Sequence, residues 1–219
     1  MSPDPRAATA EVRRLQARLS SLYALDLAVD AADFVVDDAG RAALTMALGG
    51  APSTDREALW VLEEPDALNV ALCIADHLIG GDVLVDADLD RYCAVLEGVS
   101  HLLYLLDRAA RRSTLTLLEM ELQAEVDKFL TTWFAHHDAQ VPISAPDLQQ
   151  RLFAHCTIPS RGDATEDARY RAANRYAARY CRHLERRYLR VGRVHPMLAE
   201  VRRFWRMGHA EKIAHIEAC

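Results

Sequence analysis

The stretch from Asp86 to Asp138 constrains the fold more than any other. Between Tyr92 and Leu106 most positions are apolar (Leu96, Val99, Leu102, Leu103, Leu105, Leu106), and Glu97 and His101 are the strongly polar interruptions. Leu89, Leu96 and Leu103 alternate with Tyr92, Val99 and Leu106 in a heptad-like seam. The flanking positions are apolar too, which predicts a helix covered on most sides. Arg108, Arg111 and Arg112 close it, as suits the negative end of a helix dipole. Thr116 and Glu119 have capping-box spacing for a second helix, whose expected buried stripe is Leu118, Leu122, Val126, Phe129, Trp133 and His137. The two helices are expected to fold back on each other as an antiparallel pair.

Around this pair the chain reads as mainly α with a minor β part. Residues Pro5 to Tyr23 form an amphipathic helix with Val12, Leu15, Leu19 and Leu22 on one side. Leu25, Leu27 and Val29 alternate with Asp26, Ala28 and Asp30, which hints at a short strand before Phe34. A helix over Gly40–Leu48 ends at Gly49-Gly50. Leu59–Leu62 and Leu68–Ile74 flank Glu64-Pro65-Asp66, the pattern of a β-hairpin. The expected sheet is therefore a small antiparallel hairpin or three-strand sheet in the N-terminal half. After Val141-Pro142 come a short helical piece over Asp147–His155 and a polar loop over Pro159–Asp163. A long helix follows over Glu166–Arg190, and further helices begin near Pro196 and after Gly208. The parts divide as residues 1–85 (a helix and a small α+β lobe), 86–158 (the helical hairpin) and 159–219 (a basic helical lobe), expected to form one compact domain.

Composition narrows the function classes. No run of about eighteen apolar residues exists, so no membrane span is expected, and Met1–Gln16 lacks the apolar core of a secretory signal. Five scattered cysteines (Cys73, Cys93, Cys156, Cys181, Cys219) suit a reducing cytoplasm better than a disulfide framework. The net charge of −6 hides an asymmetry. Residues 151–219 hold 15 basic and 7 acidic side chains, net +8, against 11 and 25, net −14, in residues 1–150. Such a split predicts a basic face for an anionic partner, or two lobes that attract each other within or between subunits.

Two candidate sites emerge. In an antiparallel pair turning near Arg112, Glu97 and His101 come close to Glu121 and Glu125, with each pair four residues apart on one helix face. A bundle core holds iron, manganese or zinc with such an inventory, although carboxylate-bridged two-metal sites use Glu-x-x-His at a spacing of three, twice over. His101 as a general base oriented by Glu97 is the catalytic variant, and it lacks an identifiable nucleophile. Against both stands a plain polar layer, with Glu97 bonded to His101 or an arginine and with Glu121, Glu125 and Lys128 in a solvated stripe of local ion pairs. His136-His137, His155-Cys156 and Cys181-x-His183 match no zinc spacing.

The second candidate is a basic face. Arg171, Arg175, Arg179, Arg182, Arg186 and Arg190 fall within an arc of about 100° on the Glu166–Arg190 helix. Tyr170, Ala173, Ala177, Tyr180, Leu184 and Tyr188 occupy the other side. Six like charges in one stripe repel each other unless something anionic meets them. The tyrosines point away from the arginines, and the chain is acidic overall, which argues against a dedicated nucleic-acid binder. The leading expectation is an interaction or accessory protein, oligomeric, that meets an acidic protein or its own acidic lobe. The alternatives are a Glu/His metal protein and, after it, a nucleic-acid-associated one.

Overall fold

The computed structural model describes residues 5–47, 57–64, 67–154 and 163–219. Eight helices and one small sheet are formed among them: α1 (Pro5–Tyr23), α2 (Asp38–Ala47), α3 (Leu89–Ala110), α4 (Leu117–Asp138), α5 (Ala145–Gln149), α6 (Ala164–Arg187), α7 (Val194–Arg206) and α8 (His209–Glu217), with β1 (Val35–Val36), β2 (Ala58–Glu64) and β3 (Ala67–Cys73). The chain is mainly helical, as its patterning predicts. Two compact units divide it: Met1–Arg18 with Leu27–Leu103, and Leu19–Asp26 with Tyr104–Cys219.

In the first unit β2 and β3 pair antiparallel from Ala58↔Cys73 to Glu64↔Ala67, so the hairpin is present. Pro65 and Asp66 of the expected turn, Gly49-Gly50 and most of the Pro159–Asp163 loop lie outside the described residues. The third strand completes the expected three-strand sheet and makes it mixed. β1 pairs parallel to β3 through Val35↔Leu72 and Val36↔Cys73, on the other side of β3 from β2. The alternating residues near Leu27 form no strand; they lead into a 3₁₀ turn at Ala31–Phe34. Gln16 on α1 holds this segment from both sides, donating to the Val29 carbonyl and accepting from the Ala31 amide, both at 2.7 Å.

The sheet reaches α3 at Gly98, where an added Cβ would lie 2.9 Å from the Leu72 side chain. Closer still is Gly81, where a Cβ would stand 2.7 Å from the backbone nitrogen of Tyr92. Arg91 ties the segment before α3 to the helix by donating to the carbonyls of His77 (3.0 Å) and Ile79 (2.5 Å). Leu72, Val95, Leu96, Val99, Leu102 and Leu103 are fully buried.

In the second unit Arg112 takes a left-handed conformation (φ 50°) that turns the chain from α3 into α4. Thr116 caps α4 by accepting from the Glu119 amide at 3.2 Å. Leu122, Val126 and Phe129 are buried, as the stripe requires, while His137 at its far end is exposed. α6 packs on α4, and its Ala173, Ala177, Tyr180 and Leu184 are fully buried. The helix stops at Arg187 rather than Arg190. Tyr188 leaves helical geometry (φ −126°, ψ −54°), and a 3₁₀ turn over Leu189–Val191 follows, closed by left-handed Gly192. The short helical piece becomes α5, capped by Ser144, continued by one π turn over Gln150–Ala154.

Candidate functional site

The Arg face of α6 is open to solvent on the second unit. All six candidates, Arg171, Arg175, Arg179, Arg182, Arg186 and Arg190, are exposed, while the tyrosines and alanines opposite them are buried or half-buried. Arg190 stands just past the helix, in the 3₁₀ turn. Its Nε donates at 2.7 Å to Glu185, whose other oxygen accepts from Gln149 at 3.3 Å, so this buried acid has a cation on one oxygen and an amide donor on the other. Arg179 donates to the carbonyl of Glu217 at 2.7 Å, pinning the end of α8 to α6. Arg171, Arg182 and Arg186 make no hydrogen bond or ion pair among the described residues.

Two grooves meet on this face. One, of about 410 Å³, runs between α6 and the α5–π-turn segment, with Phe153, Pro146 and Ala178 as apolar walls and Arg182, Arg186 and Arg190 at its mouth. The other, of about 530 Å³, is lined by Arg179, Arg182, His183, Arg186, Arg187 and Cys219. Burial holds the His183 imidazole below its ordinary value, the nearby Arg187 adding to that and Glu200 opposing it.

The carboxylates and imidazole of the expected metal layer are divided between the units. Glu97 and His101 sit one turn apart on α3 in the first, with a Glu97 oxygen and a His101 ring nitrogen within 4.8 Å of each other. Glu121 and Glu125 sit one turn apart on α4 in the second. Glu121 is buried and faces Arg169 of α6 at 3.9 Å; half-buried Glu125 pairs with Lys128 at 2.8 Å. The stripe expected to be solvated is thus largely covered.

A buried polar network on the second unit escapes sequence reasoning. Glu119, whose spacing suggested a capping box, turns its carboxylate inward. It accepts from the Tyr104 hydroxyl at 2.5 Å and pairs with Arg108 at 3.0 Å. Lys212 of α8 is fully buried, donates to Gln123 Oε1 at 2.5 Å, and lies 4.5 Å and 4.6 Å over the rings of Tyr104 and Phe204. The Gln123 amide nitrogen donates to Asp127 at 2.8 Å and to the Tyr23 hydroxyl at 3.0 Å, and Tyr23 in turn donates a very short bond to Asp127. Trp205 stacks on Tyr23 with centroids 4.3 Å apart and donates its indole N–H to Asp107 at 2.9 Å.

Burial lowers the Lys212 ammonium to about 7, against the raising influence of Glu119 and Asp127. Burial, reinforced by Asp127, pushes the Tyr23 hydroxyl well up; burial together with Glu119 does the same to Tyr104. Neither groove on α6 is lined by a member of this network, whose polar groups bond mainly to one another. The one signal available in sequence was the recurrence of polar residues at Glu119, Gln123 and Asp127, four apart, opposite a lysine in a chain that has only two.

No family model, no curated protein and no solved structure matches this chain.

Proposed function

We propose that the exposed face of α6 is a docking surface for an acidic segment of a partner protein, and that the chain acts as an interaction or accessory protein. The observation that carries this reading is the pair Arg182 and Arg186. Both are exposed, both lack an internal counter-charge among the described residues, and both border the two grooves at once. Guanidinium forks match carboxylates in shape as well as charge. A polypeptide is favoured over nucleic acid because the tyrosines of α6 are buried or half-buried and the chain as a whole carries a net charge of −6.

The test is titration of fluorescein-labelled poly-glutamate, monitored by anisotropy at low and at physiological salt. Saturable binding that weakens at least tenfold in Arg182→Gln/Arg186→Gln supports the reading. Equal binding by wild type and variant sinks it, as does stronger, Arg-dependent binding of an oligonucleotide.

A second reading rests on the Glu97–His101 pair of α3. A carboxylate and an imidazole one turn apart are a two-ligand chelate for iron, manganese or zinc. Elemental analysis of protein purified without chelator decides it. Stoichiometric metal that disappears in His101→Ala, with helicity retained, supports the pair; metal-free wild type rules it out.

A further inference from the structure

We infer that the anchoring group of the acidic partner is a phosphorylated side chain, seated in the 530 Å³ groove among Arg179, Arg182, Arg186 and Arg187. This rests on the docking reading above and specifies its ligand. The argument begins with helical spacing. Positions 179, 182 and 186 follow one another at three and four residues, so three guanidiniums rise from one strip of α6, and Arg187, beside that strip, lines the same concavity. An exposed carboxylate brings a single charge and two acceptor oxygens, which leaves most of that strip unbalanced. A phosphate monoester brings close to two charges and three acceptor oxygens, the stoichiometry that several convergent guanidiniums take.

The four are not equivalent. Arg179 is anchored on the Glu217 carbonyl at 2.7 Å, and Arg187 donates to the Tyr188 hydroxyl at 3.3 Å with its guanidinium 5.8 Å from the Tyr188 ring. These two are held in place before any ligand arrives, and ordering them costs the complex little. Arg182 and Arg186 are the unpartnered pair that closes on the phosphate.

The neighbouring groove extends the recognition. It shares Arg182 and Arg186, and its walls include Phe153, Pro146 and Ala178, while the charge of its buried Glu185 is already met by Arg190. A peptide lying across the two shared arginines places its phosphate on one side and an apolar side chain on the other. The partner segment is therefore acidic, phosphorylated, and carries an aliphatic or aromatic residue close to the phosphate.

The experiment uses three labelled peptides that differ at one position, serine, glutamate or phosphoserine, in an aspartate-rich segment with a leucine two residues away. Anisotropy titrations at physiological salt are expected to show the phosphoserine peptide binding at least tenfold more tightly than the serine peptide. Arg182→Ala/Arg186→Ala is expected to abolish that difference, whereas Arg171→Ala/Arg175→Ala, on the same stripe but outside the groove, retains it; circular dichroism controls for folding. Equal affinity for the phosphoserine and serine peptides overturns the phosphate inference and leaves acidic docking standing. Failure of all three peptides and of poly-glutamate to bind ends both readings.

Discussion

Lys212 is held by Gln123 and two aromatic rings in the interior of the second unit, and that position makes folding sensitive to protons. The unfolded chain keeps the Lys212 proton up to its ordinary 10.5, whereas the folded chain releases it near 7. Between those values the unfolded state binds more protons, so stability rises with pH, by at most about 1.4 kcal/mol per pH unit from this one group. Above 10 the sign reverses. Tyr23 and Tyr104 retain their protons in the folded chain while the unfolded chain loses them, so stability falls again. Denaturant titrations of wild type at pH 7, 8 and 9 are expected to show the rise, and Lys212→Met is expected to flatten it. At the same network, Tyr23→Phe removes one donor from buried Asp127 and is expected to cost about 1–3 kcal/mol at neutral pH, read from the same titrations.

Individual helices respond according to what caps, crowds or charges them. Thr116→Ala removes the oxygen that accepts from the Glu119 amide and is expected to cost about 1 kcal/mol. Gly81→Ala is expected to be more damaging, because its new Cβ would meet backbone at 2.7 Å rather than a side chain that can swing away. On α6 the expectation runs the other way. Arg182→Gln/Arg186→Gln relieves like-charge repulsion and is expected to leave stability unchanged or raise it by a few tenths of a kcal/mol, which separates loss of docking from loss of fold. Thermal melts of the three variants check all of this.

Helix by helix, what was legible depended on whether the apolar stripe told the whole story. Val12, Leu15, Leu19 and Leu22 bound α1 from end to end, and the tyrosine–alanine side of α6 oriented its arginines outward. On α4 the stripe misled at both edges. Acids are ordinarily read as wet, yet Glu119 and Asp127 are buried, because their partners Tyr104, Arg108, Tyr23 and Gln123 include residues up to 104 positions away in the chain. The parallel strand Val35–Val36 is too short to show any alternation, so only its register with Leu72 and Cys73 reveals it.

For the chain as a whole, charge distribution matters more than charge total. A net charge of −6 would send an evenly charged protein away from a sulfonated resin, but the basic residues crowd into positions 151–219, with six exposed arginines on or beside one helix. At pH 7.5 and low salt the protein is expected to be retained on a cation exchanger, and Arg182→Gln/Arg186→Gln to elute earlier. No helix among the described residues is long and apolar enough to cross a membrane.

The scarcity of lysine gives the interior network a practical use. Lys128 is only 12 % exposed and occupied by Glu125, and Lys212, on the inner side of α8, is fully buried. An acylating reagent aimed at primary amines therefore finds almost no side-chain target while the C-terminal helix is docked. The rate at which mass spectrometry detects label on Lys212 becomes a clock for that helix lifting away.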